Sequence, residues 1–96
     1  PEGFRVLRSV DGYARIRGGV TYPSVLLRVG SEDPLVSPWQ SGKMAARLQT
    51  YARPGTRVLV RLTDDGGHGG LASGDSRVTE FADVYTFLLG ELSDAR

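Results

Sequence analysis

At 96 residues the chain has room for one domain, with a core small enough to be marginal without outside support. Twelve basic and eleven acidic side chains leave a net charge of +1, and no basic run is interleaved with aromatics, so neither a nucleic-acid face nor attraction to a membrane is expected. Cysteine is absent, which removes disulfides, thiol catalysis and the usual zinc ligands together, and the apolar runs are too short to span a bilayer.

No signal peptide opens the sequence, an observation without weight if the chain begins inside a longer protein. Cytoplasmic location is the expectation, with periplasm and exterior left open.

In chain order, Phe4, Leu7 and Arg8 have helical spacing and Gly12 reads as a stop, which predicts a short helix over residues 1–12. Residues 13–19, with Arg15, Arg17 and paired glycines, read as a connecting loop. The apolar, β-branched run from Val25 to Val29 predicts a buried strand over 24–29, closed by Gly30. A polar loop with Asp33 follows. Ser37, Pro38 and Gln40 then have the form of an N-cap, a first-turn proline and the third member of a capping box. The helix so opened runs over 37–52, with Met44, Leu48 and Tyr51 on one stripe and Lys43 and Arg47 off it. Arg53-Pro54-Gly55 ends it, since proline cannot continue a helix.

A second strand is predicted over 57–62, and the connection between the strands is long enough for one βαβ unit. Residues 63–75 form a glycine-rich loop. Val78, Phe81, Tyr85, Leu88 and Leu92 recur at threes and fours, predicting an amphipathic helix to the C-terminus with that stripe toward the core. Both strands are apolar at consecutive positions, as parallel strands buried on both faces are, yet two strands alone make a marginal sheet. The reading is an α/β piece that needs something else to flank it.

Two residues carry candidate chemistry. Asp33 sits at the carboxyl end of the first strand, where the groups of open α/β sheets collect. An aspartate before proline is also a common turn residue, bonding nearby backbone amides. His68, the single histidine, lies in Gly66-Gly67-His68-Gly69-Gly70, whose glycines would let the backbone turn tightly and aim an imidazole at a neighbouring strand end. It could equally be an exposed loop histidine. The glycine spacing is wrong for a phosphate loop, with no Lys-Ser or Lys-Thr after it. One histidine beside Asp64 and Asp65 lacks metal-ligand spacing, so no metal or cofactor is expected. Those two aspartates are read as shaping the turn, and Ser31, Ser37, Ser41, Ser73, Ser76 and Ser93 as loop, cap or helix residues.

Taken together, Tyr22-Pro23-Ser24-Val25-Leu26-Leu27, Asp33-Pro34, Ser37-Pro38-Trp39, Ser41-Gly42-Lys43-Met44-Ala45-Ala46-Arg47-Leu48-Gln49, Gly67-His68-Gly69 and Ala82-Asp83-Val84-Tyr85-Thr86-Phe87-Leu88-Leu89 resemble the C-terminal part of a prolyl oligopeptidase catalytic domain, from Gly3 to Leu92. The resemblance implies the C-terminal βαβα portion of an α/β-hydrolase fold with a parallel sheet, in a serine peptidase cleaving short peptides after proline. It places Asp33 and His68 at the acid and histidine of the triad. In this fold the nucleophile precedes both, and no serine here has nucleophile-elbow surroundings, so the serine belongs to sequence outside the chain. The implied partners are a peptide substrate and the remainder of the domain.

The family usually carries arginine two residues after the aspartate, where it bonds the bound peptide. This chain has Leu35 there, and Leu35 and Val36 are the expected substrate-contacting positions. An apolar Leu35 means that another residue supplies the contact or that specificity has drifted. An esterase or acylaminoacyl-type hydrolase of the same fold is therefore an alternative, and a non-catalytic interaction module is another. The isolated chain is expected to be inactive, and either to be accompanied by a chain carrying the serine and the earlier strands or to self-associate.

Overall fold

The computed structural model describes residues 1–64, 66–69 and 74–94. The turn-shaping reading of Asp65, the glycine at 70 and the loop reading of Ser73 lie outside the described residues.

The chain opens with two helices, α1 (Glu2–Val10) and α2 (Gly12–Arg15). Gly12 is therefore not a stop, and residues 13–19 are not wholly loop. Asp11 has extended backbone (φ −71°, ψ 112°) and its side chain accepts a hydrogen bond from the Tyr13 amide at 2.9 Å, so it ends one helix and caps the next. The segment after α2 supplies Ile16 to the core. Tyr22 ties it down, its hydroxyl accepting from the Arg17 amide (2.9 Å) and donating to the Arg17 carbonyl (3.2 Å). α1 itself buries no residue.

The strands β1 (Val25–Gly30) and β2 (Val58–Thr63) pair in parallel, with Val25 opposite Val58 and Gly30 opposite Thr63. Between them runs α3 (Trp39–Tyr51). The capping box is not formed. Pro38 already has helical dihedrals (φ −55°, ψ −31°), and the Gln40 amide bonds the Ser37 carbonyl at 3.0 Å, not its hydroxyl. α3 covers one face of the sheet. Ala45 and Leu48 join Ile16 and Val58 in the core, with Tyr22, Val25, Leu27, Met44 and Ala52 packed around them. Tyr51, expected on the buried stripe, is exposed, and the Arg47 guanidinium lies 5.3 Å from its ring centroid.

The other face departs from the sequence expectation. Side chains alternate across a strand, and the register sets Arg28 opposite Arg61 on the face away from the core cluster, with Arg57 farther down. α4 (Gly74–Asp94) meets these arginines with carboxylates, through Arg28–Glu80, Arg61–Asp83 (2.9 Å) and Arg57–Glu91 (2.8 Å). Positions 80, 83 and 91 share one side of a helix with 3.6 residues per turn. Facing the arginines with that side turns the apolar stripe outward, so Val78, Phe81, Tyr85, Leu88 and Leu92 are all exposed. Two strands are too narrow to cover both sides of α4, and the ion pairs decide which side is covered.

Candidate active site

β1 ends on a glycine, and the loop after β2 carries another, three residues beyond the strand. Gly30 and Gly66 are both buried, and a Cβ built on Gly30 would lie 1.9 Å from the Gly66 carbonyl oxygen. The loops can thus approach this closely only because side chains are missing there. The Ser31 amide donates to the Thr63 carbonyl (2.9 Å), the Glu32 amide to the Gly66 carbonyl (3.2 Å), and the Ser31 hydroxyl to the Asp64 carbonyl (2.5 Å). These bonds extend the pairing past the last register pair and bring together, side by side, two loops whose Asp33 and His68 are 35 residues apart in sequence.

Asp33 and His68 meet across that seam. Asp33 Oδ1 accepts the amides of Leu35 and Val36, each at 2.9 Å, and Oδ2 lies 3.0 Å from His68 Nδ1. The aspartate is therefore both a turn residue and the partner of the histidine, one oxygen serving each role. Its side chain is 8% exposed and that of His68 54%. The amide of Val36 does most to hold the Asp33 carboxyl below its usual value of 3.8, aided by the Leu35 amide and by the hydrogen bond and charge of His68. Burial pushes the other way and is outweighed.

An Nδ1–H directed at Asp33 leaves the lone pair on Nε2, the arrangement a general base requires. The imidazole borders a cleft of about 280 Å³ lined also by Arg28, Gly30, Asp33, Val36, Ser41 and Glu80. Val36 thus reaches the cleft, while Leu35 is exposed, does not line it, and contributes its amide to Asp33. Ser41 is a residue of α3 on the cleft wall. Among the described residues no cluster of three or more histidine, aspartate or glutamate side chains is placed to hold a metal ion, and no helix is long and apolar enough to cross a membrane.

Arg28 and Glu80 were not singled out from sequence. Arg28 donates to Glu80 Oε1 through Nε (2.7 Å) and again through Nη2. The available signal was an arginine within an otherwise apolar strand, which cannot face a helix without a carboxylate to meet it.

The model of the prolyl oligopeptidase family matches residues 1–95. The prolyl endopeptidase of Elizabethkingia miricola is 33% identical over 91 residues, covering 95% of this chain and 13% of that protein. Dipeptidyl aminopeptidase BI of Pseudoxanthomonas mexicana is 30% identical over 74 residues, 77% of this chain and 10% of that protein. A solved structure from a structural and mechanistic study of two prolyl endopeptidases superposes with a TM-score of 0.82 at 29% identity, covering 97% of this chain and 14% of that one. The chain thus spans only a small part of the length of such relatives, 13% of the first.

Proposed function

The chain belongs to the prolyl oligopeptidase family, and on that premise we propose that it carries the acid and the histidine of a serine peptidase's catalytic triad, Asp33 and His68, within the C-terminal part of an α/β-hydrolase catalytic domain. The nucleophile serine lies outside these 96 residues, and the substrates are short peptides cut after proline. The observation that carries this reading is the 3.0 Å contact between His68 Nδ1 and an Asp33 carboxylate anchored by two backbone amides.

His68 Nε2 takes the serine hydroxyl proton as the serine oxygen bonds to the scissile carbonyl carbon, and Asp33 stabilises the resulting imidazolium. The same proton passes to the leaving amine as the carbon–nitrogen bond breaks. A water, deprotonated by His68 in turn, then releases the acyl group and the serine recovers its proton.

The test is made on the complete polypeptide that contains this chain. In Asp33→Asn an amide NH2 facing His68 Nδ1 would favour the tautomer with its proton on Nε2, which cannot accept from serine. Turnover of proline-containing peptides should fall by roughly four orders of magnitude with the fold retained, by analogy with the same change in the serine-protease template. His68→Ala should be comparably severe. Retention of more than about a tenth of wild-type turnover by either variant counts against a triad.

Leu35 favours a second reading. It places an apolar, exposed side chain where the family usually has an arginine, which suits an esterase or acylaminoacyl-type hydrolase whose substrate needs no such donor. Faster turnover of simple esters or acylated amino acids than of proline peptides would select it. Absence of all hydrolysis by the complete polypeptide would instead favour an interaction module.

A further inference from the structure

Glu80 is 3% exposed, one of the two buried polar residues among those described, yet it lines the cleft that His68 borders. An isolated carboxylate there would be costly to desolvate and would favour the protonated imidazolium over the base. Arg28 cancels that charge, donating twice to the same oxygen, Glu80 Oε1. Among the described residues the other charged group on the cleft wall is Asp33, and α3 contributes only the uncharged Ser41. Glu32, Asp64 and Asp75 are exposed and do not line it. The neighbouring pair, Arg61–Asp83, is likewise off the cleft wall.

We infer that Arg28 and Glu80 are a charge-neutral positioning pair that leaves Asp33, among the described residues of the cleft wall, as the one uncompensated charge acting on His68, and thereby fixes the pH range in which the histidine works as a base. This rests on the triad reading. The proposed role of the pair is exerted through the histidine.

For groups on the order of 10 Å apart, an effective dielectric constant near 20 gives one unbalanced charge a shift of roughly one unit in a histidine titration. The experiment is the pH dependence of kcat/KM for the complete polypeptide, whose acidic limb reports the histidine. Glu80→Gln leaves Arg28 uncancelled and should move that limb down by roughly one unit. Arg28→Gln leaves Glu80 uncancelled and should move it up. The double variant, neutral again, should return close to wild type, and Asp83→Asn should leave the limb in place. Shifts of the same sign in both single variants, or none, overturn the inference. The amide introduced by Glu80→Gln keeps the shape of the side chain and can still accept a hydrogen bond from Arg28, so if Arg28→Gln does not fold, the downward shift in Glu80→Gln decides the matter alone. His68→Ala is run alongside: if it retains turnover, the triad reading fails, whereas an inactive His68→Ala with unmoved limbs sinks only the role of the pair.

Discussion

Gly30 and Gly66 stand backbone against backbone at the carboxyl end of the sheet, so close that a single methyl group on Gly30 would lie 1.9 Å from the Gly66 carbonyl oxygen. The Glu32 amide bonds that same oxygen. Three residues beyond Gly30 is Asp33 and two beyond Gly66 is His68, so the distance between the candidate acid and histidine is set by this contact. A shift of one loop by the ångström or more that a methyl requires is a shift of one member of the pair.

Gly30→Ala should therefore separate Asp33 from His68 without unfolding the chain. In the complete polypeptide, turnover is expected to drop on the order of a hundredfold, the scale of a misplacement of a reacting group by about 1 Å, while far-UV circular dichroism stays unchanged. Turnover within about twofold of wild type, far short of that scale, would show that the loops reach their positions by another route.

The Asp33 carboxyl should titrate below its usual value of 3.8, because two backbone amides and His68 outweigh burial. For a carboxylate with a lowered folded value the sign is definite. Its stabilisation is complete above the ordinary value and is lost as pH falls through the lowered one. Carbon-13 NMR of the side-chain carboxyl across the acid range measures the midpoint, and one at or above 3.8 would mean that burial dominates.

The isolated 96 residues should hydrolyse nothing. Covalent catalysis needs the nucleophile, and the oxyanion hole of this fold draws on backbone amides beside it. Incubation with a serine-directed fluorophosphonate, followed by mass spectrometry, is the direct check, since a stoichiometric adduct would place a reactive serine within this chain.

Association is expected of the isolated piece. β1 has β2 on one side and no other strand among the described residues on the other, and exposed Phe4, Leu7, Leu88 and Leu92 add apolar surface. Ultracentrifugation with hydrogen exchange on the amides of residues 25–29 tests it. A monodisperse monomer with well-protected amides in that strand contradicts the argument.

The strands and the long helices were legible because each rests on a local pattern. Val25 to Val29 and Val58 to Leu62 have the length and branching of strands, and the 3.6-residue period of α3 and α4 needs no partner to be seen. Asp33 was legible as a turn residue for the same reason, since its bonds to the amides of Leu35 and Val36 span only two and three residues. His68 was legible as its partner only because it is the single histidine of the chain, and the triad roles of the two came from the resemblance, because no local rule links positions 33 and 68.

What escaped the sequence is what depends on which faces meet. Ile16 lies in a segment that reads as a linker and becomes core only when α3 and β2 close over it. The period of α4 says that it has an apolar side, but not whether this sheet is what covers it. Arg28 and Arg61 settle that, because parallel register sets two like charges side by side, and the helix that crosses them must present Glu80 and Asp83. Local spacing along one chain thus determined the elements and the turn that holds the carboxylate. Register between strands, a charge-balance condition that spans 52 residues from Arg28 to Glu80, decided how α4 lies and which of its carboxylates lines the cleft that the histidine borders.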